Sequence, residues 1–268
     1  MSAVASHGNG TTPEPLVEAR GLSVGFGSQP VVRGIDLRVG AGEVVLLLGP
    51  NGAGKTTTLL CLAGEYRPMG GEVSVLGVEP RTPLHRRARQ GLAFVTEERS
   101  IFRSLSTADN LRAGDVSIEA ALELFPELEK RLSVRAGLLS GGEQQMLTLA
   151  RALSRKPRLL LADELSLGLG PLVVKRLLDA VARVAKESGM GVLLVEQHVR
   201  KALRYADRGY VMRQGEIVLE GSANRLHERI GEVEDSYLAG AENRLITTHV
   251  GDQRGGAETG TASPGASG

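Results

Sequence analysis

An eight-residue run, Gly49-Pro50-Asn51-Gly52-Ala53-Gly54-Lys55-Thr56, constrains this chain more than any other feature in it. It fits the phosphate-binding pattern G-x-x-x-x-G-K-[ST] in full. The glycines let backbone N–H groups wrap phosphates, and the helix that follows contributes its positive N-terminal end. Lys55 supplies a point charge for the β- and γ-phosphates, Thr56 offers a hydroxyl to Mg2+, and Thr57 continues the first turn of the helix. Context separates such a loop from an ordinary glycine turn. Here Glu43-Val44-Val45-Leu46-Leu47-Leu48 precedes it, an apolar run suited to a strand buried on both faces, and a helical pattern spans 57–63. A nucleotide-binding α/β fold is the expectation.

Similar strand-like runs occupy 91–95, 158–162 and 191–195. Pro171–Ser188 reads as a helix, with Leu177, Leu178, Val181 and Val184 on one stripe, Pro171 in the first turn and Gly189 beyond the end. Strands alternating with helices predict a mostly parallel core sheet. Ahead of the loop, 16–19, 22–24 and 35–39 alternate as short strands of an antiparallel β subdomain. Residues 107–155 read as helical almost throughout, so a helical subdomain of about 104–155 is expected as an insertion. The ends, 1–15 and 241–268, hold little to bury and read as disordered tails around one domain, 16–240. Just before the second tail, Val233, Tyr237 and Leu238 share one helical face and are expected to pack on the domain.

Composition excludes several alternatives. The 268 residues are 41% hydrophobic, enough for a sizeable core. Their 32 basic and 31 acidic residues leave a formal charge of +1, which argues against a nucleic-acid partner. Cys61 is the only cysteine, so internal disulfides and multi-cysteine zinc sites are ruled out. No apolar run approaches the ~18 residues of a membrane span, so direct membrane insertion is not expected. The first residues lack a secretory pattern, and a reducing compartment is the expectation.

A magnesium site needs an acidic partner ending a hydrophobic strand, and Leu159-Leu160-Leu161-Ala162-Asp163-Glu164 provides one. Asp163 can hold the metal; Glu164 stands where a carboxylate can deprotonate an attacking water. A further segment, Leu139-Ser140-Gly141-Gly142-Glu143-Gln144-Gln145-Met146, carries a capping box at a helix start. Ser140, Gly141 and Gly142 there form a second anion-binding helix start in one chain.

With these motifs in this order, the sequence resembles the ATP-binding subunits of ABC transporters over roughly residues 16–240. Residues 139–143 look like the family's signature motif. The resemblance implies an adenine-stacking role for Phe26, a γ-phosphate switch role for His198, and a loop crossing between paired sites at Ser166-Leu167-Gly168-Leu169. It also implies a head-to-tail dimer, each ATP lying between residues 49–57 of one subunit and 140–143 of the other. Segments 95–102, 124–126, 140–146, 166–171 and 206–211 resemble, more narrowly, the branched-chain amino acid importers, in their second, shorter ATPase type. Urea/amide importers are near neighbours. Implied partners are transmembrane permease subunits and a second ATPase, a heterodimer being favoured, with the chain cytoplasmic and peripheral on the inner face of the cell membrane. The permease contact is expected at a helix over 117–132 and at 99–105. Two positions depart from the family pattern. Glu97 stands where glutamine is usual, and can ligate Mg2+ or alter the charge around the attacking water. Leu165 replaces the proline after Glu164. Among non-transport members, repair proteins need a coiled-coil insertion and translation factors two ATPase units, neither present; an iron–sulfur assembly scaffold stays open.

Overall fold

The computed structural model describes residues 14–237. Leu238 and most of both tails lie outside the described residues. The chain opens with β1 (Val17–Phe26), β2 (Gln29–Val39), β3 (Val44–Leu48), α1 (Lys55–Ala63), β4 (Gly70–Val75), α2 (Leu84–Arg89) and β5 (Leu92–Val95). A helical region follows: α3 (Thr107–Ala113), α4 (Ile118–Leu124), two 3-10 turns and α5 (Gly141–Leu153). Then come β6 (Leu159–Asp163), α6 (Pro171–Ser188), β7 (Gly191–Glu196), α7 (Val199–Ala202), β8 (Arg208–Arg213), β9 (Glu216–Ser222) and α8 (Ala223–Glu228). Residues 230–237 are helical again.

The main sheet runs β5-β6-β7-β3-β8-β9, parallel except for the β8–β9 hairpin at its edge. Every residue of β3, β6 and β7 is buried, because both faces are covered. Leu46, Leu48, Leu160, Ala162, Val192 and Leu194 pack toward the helical region and α6. The alternate residues, Val45, Leu47, Leu161, Leu193 and Val195, pack toward α1 and a three-stranded antiparallel sheet, β2-β1-β4. Period-two side chains on a doubly covered sheet explain why these strands read as continuous apolar runs.

The helical insertion appears where it is expected, with one correction. The helix over 117–132 is broken: α4 stops at Leu124, Phe125 takes φ −136° and ψ 80°, and Pro126–Arg131 continues as a 3-10 turn. Proline disfavours helical geometry in the residue before it and removes a donor, so the break falls at Phe125. The segments 16–19 and 22–24 are one strand, β1, with register shifts between Ala19 and Leu22 and again before Val24. Three strands escape the sequence reading. β4 is masked by Gly70-Gly71, and β8–β9 are joined by Gln214-Gly215, both at positive φ (50° and 87°), as a two-residue hairpin turn requires.

Candidate nucleotide site

Three neighbouring strands end on the same edge of the sheet. Leu48 pairs with Glu196, and Asp163 with Val195, which sets the phosphate-loop motif, the acidic pair and the 196–198 segment side by side. The carboxyl edge of an open parallel sheet is where ligands gather. A cavity of about 390 Å³ opens there, lined by Asn51, Gly52, Gly54, Lys55, Thr56, Thr57, Glu97, Glu164, Leu167 and Gln197 together with Val31.

The loop is held tightly at its root. Gly49 is buried at φ +149°, and a Cβ there would sit 2.2 Å from the Met212 carbonyl oxygen, so no other residue fits. Its N–H donates to the Tyr237 hydroxyl at 2.8 Å. Ala53 is buried, while Asn51 and Gly52 are exposed on the loop and Pro50 is half-buried. Lys55 is 4% exposed, and its ammonium donates to the carbonyls of Gly49 (2.8 Å) and Pro50 (3.0 Å). Burial pulls its pKa down, against the opposing pull of Glu164 and Asp163.

Asp163, 3% exposed, has an Oδ1 that is buried with no hydrogen-bond partner, while the Thr56 hydroxyl bonds to its carboxylate. Burial raises its pKa; the Thr56 bond and Lys55 work the other way, and Glu164 and Glu97 add to the rise. An orphaned carboxylate oxygen beside a hydroxyl is a hard, all-oxygen donor set, and it fits Mg2+ completed by water and phosphate oxygens. Among the described residues no group of three His, Cys, Asp or Glu side chains could hold a metal.

Glu164 adopts φ +49°, an uncommon conformation for a non-glycine residue and one that clusters at functional sites. Its Oε1 accepts from the Gln197 Nε2 at 2.6 Å. One strand further, Glu196 is 1% exposed and accepts both the N–H (3.1 Å) and the hydroxyl of Ser166, which ties down the loop after Glu164. The departure at Leu165 fills the core, at 1% exposure.

Other expected residues stand apart. Phe26 is 57% exposed, edge-to-face with Tyr66 at 5.4 Å, and does not line the cavity. Ser140 and Glu143 form the expected reciprocal capping box at the start of α5, away from the cavity: the Ser140 N–H donates to the Glu143 carboxylate at 2.8 Å. Gly142 lets α5 approach α6, since a Cβ would meet Val173 at 2.9 Å, and Gly141 lies against Arg99 and Leu169. His198, exposed at the start of α7, lines a separate hollow with Arg200, Glu234 and Tyr237. Sequence reading missed Gln197, the Glu196–Ser166 bond and the Tyr237 hydroxyl. Gln197 adjoins the His198 motif and was within reach; the other two contacts join positions 30 and 188 residues apart and leave no periodic signal.

Among the described residues no helix is long and apolar enough to cross a membrane. The family description "ABC transporter" matches residues 32–166. The chain is 38% identical over 229 residues to the high-affinity branched-chain amino acid transport ATP-binding protein BraG of Pseudomonas aeruginosa, covering 82% of this chain and 97% of that one. It is 34% identical to the lipopolysaccharide export system ATP-binding protein LptB of Escherichia coli K12, covering 78% and 91%. A solved ATP-binding subunit of an ABC transporter superposes with a TM-score of 0.69 at 29% identity, over 81% of this chain and 93% of that one. With the phosphate loop, the acidic strand end and the capped glycine pair in one fold, the chain belongs to the ABC transporter family, as one of its ATP-hydrolysing subunits.

Proposed function

We propose that this protein is the motor subunit of an import system for branched-chain amino acids, working on separate permease subunits at the inner face of the cell membrane. The observation that carries the reading is the 38% identity to BraG over 97% of its length, together with the import-branch segments at 95–102 and 166–171. The likeness to LptB supports a second reading, in which the same motor serves export. ATP would lie along residues 49–57, its phosphates on Lys55 and the loop N–H groups. Thr56 and Asp163 would hold Mg2+, with Glu97 close enough to influence its charge; bound there, the metal neutralises phosphate charge. Glu164, steadied by Gln197, accepts the proton of the attacking water, and His198 serves as the switch toward the γ-phosphate. Ser140, Gly141, Gly142 and Glu143 would close on the ATP of a second ATPase subunit, in a heterodimer, and Phe26 would flank the adenine.

The groove of about 560 Å³ between β5 and α5, lined by Phe94, Ser100, Arg151 and Arg155, is continuous with the 99–105 segment and suits a permease helix. Two experiments test the reading. Lys55→Ala should abolish ATP binding, measured by calorimetry, because a charge-assisted phosphate contact is lost; undiminished affinity refutes the loop assignment. Extraction of the complex from membranes, followed by identification of its permeases and uptake assays with leucine in vesicles, separates import from export. Co-isolation with lipopolysaccharide-export components would overturn the import reading.

A further inference from the structure

The helical stretch 230–237 is fastened at two points, to α7 and to the root of the phosphate loop. Glu234 receives both Nε and Nη2 of Arg200, two residues beyond His198, at 2.7 Å. Tyr237 accepts the N–H of Gly49 at 2.8 Å, across 188 residues of sequence. Just ahead of both, Val233 is fully buried in the core, which sets the helix in place. The phenol is a durable neutral acceptor, since burial pushes its pKa up to about 12. Gly49 is a rigid relay. It has no alternative to its φ of +149° against Met212, and its own carbonyl receives the Lys55 ammonium. A shift of the Gly49 peptide therefore moves the resting point of Lys55.

We infer that Tyr237 is a positioning residue for ATP binding: its hydroxyl holds Gly49, and through Gly49 it places Lys55. The Gly49 N–H is taken by this hydroxyl, and neither Gly49 nor Tyr237 lines the cavity. The inference rests on residues 49–57 being the ATP-binding loop, and its test keeps the two apart. In the full-length chain, Tyr237→Phe removes the acceptor and keeps the ring. The Kd for ATP with Mg2+, measured by calorimetry, should rise about 2–10-fold, the effect of one neutral hydrogen bond. Its Tm without nucleotide should stay within about 2 °C of the parent. Val233→Ala, which thins the same helix without touching Gly49, should lower Tm and leave Kd within about twofold. Tyr237→His, whose ring nitrogen can accept the same N–H, should recover part of the affinity. Parent-like Kd in Tyr237→Phe, a Tm loss in that variant above about 5 °C, or equal loss of affinity in Val233→Ala would each overturn the inference. If Lys55→Ala loses ATP while Tyr237→Phe does not, only the positioning role falls; if Lys55→Ala binds like the parent, the loop assignment itself falls.

Discussion

At the residue scale, Glu196 sits in surroundings far from water. It is a carboxylate 1% exposed, between the loop that carries Glu164 and the strand end that carries Asp163. Burial pushes its pKa up to about 7; the two Ser166 donors pull it down, and Glu164 and Asp163 push it further up. The folded chain therefore holds a proton between about pH 4.5 and 7 that the unfolded chain has released, so this group's contribution to stability falls as pH rises through that window. Glu196→Gln keeps an oxygen acceptor for Ser166 and cannot titrate. Thermal scans from pH 4.5 to 8 should show the parent losing Tm relative to Glu196→Gln up to about pH 7 and running parallel above it. Parallel profiles throughout would contradict the raised pKa. The loop motif was legible because phosphate-binding loops take their residue types in a fixed local order. Glu196 was not, because a carboxylate at the end of an apolar strand has no sequence mark that tells solvent from burial.

At the scale of elements, the helices follow their local chemistry closely. α6 begins at Pro171 and ends at Gly189 in the left-handed conformation (φ 71°), and it buries Leu177, Leu178 and Val181 along one stripe. Leu177→Ala should lower unfolding free energy by about 2–5 kcal/mol, through lost burial and the cavity left behind. Leu172, on the same helix at 82% exposure, should change it by less than about 0.5 kcal/mol when replaced by alanine. Urea titrations of both variants check the contrast, and equal effects would place the buried stripe wrongly. The errors in reading elements share a cause. A 3.6-residue apolar rhythm ran through Phe125-Pro126, and only the steric demand of proline on its neighbour ends α4 there. In β9 exposed and half-buried residues alternate without a strong apolar face, so the strand exists through pairing with β8 rather than through its own pattern.

At the scale of the whole molecule, two helix starts able to bind anions lie on separate parts of the surface, and one chain does not bring them together. Leu138, just before the signature, is 77% exposed, and Leu167, on the rim of the nucleotide cavity, is 44% exposed. In the proposed dimer, a second ATPase subunit covers both places. On the proposed reading, Glu164→Gln should bind ATP with Mg2+ and hydrolyse it at least ~10²-fold more slowly, because a general base contributes about 10²–10⁴-fold. The ATP-loaded variant should elute earlier on size exclusion than the nucleotide-free chain, alone or with its partner ATPase. Near-normal turnover would move the base elsewhere, with Glu97 and His198 the next residues to replace.

The amino-acid sequence by itself determined the residue types on which the proposed chemistry depends: a glycine-rich loop ending in lysine and threonine, a carboxylate at the end of a buried strand, and the places where helices start. Those properties follow from side-chain types at short, fixed spacing, and short-range sterics and hydrogen bonding enforce them. Tertiary structure alone decided how strand ends from positions 48, 163 and 196 become neighbours, since parallel pairing joins Leu48 to Glu196 and Asp163 to Val195 across intervening elements. It also decided that Glu196 is dry, that Gln197 rather than another residue steadies Glu164, and that a tyrosine 188 positions downstream holds the first glycine of the loop. Burial and long-range hydrogen bonds depend on which surfaces meet, and that is a property of the packed sheet, not of any segment within it.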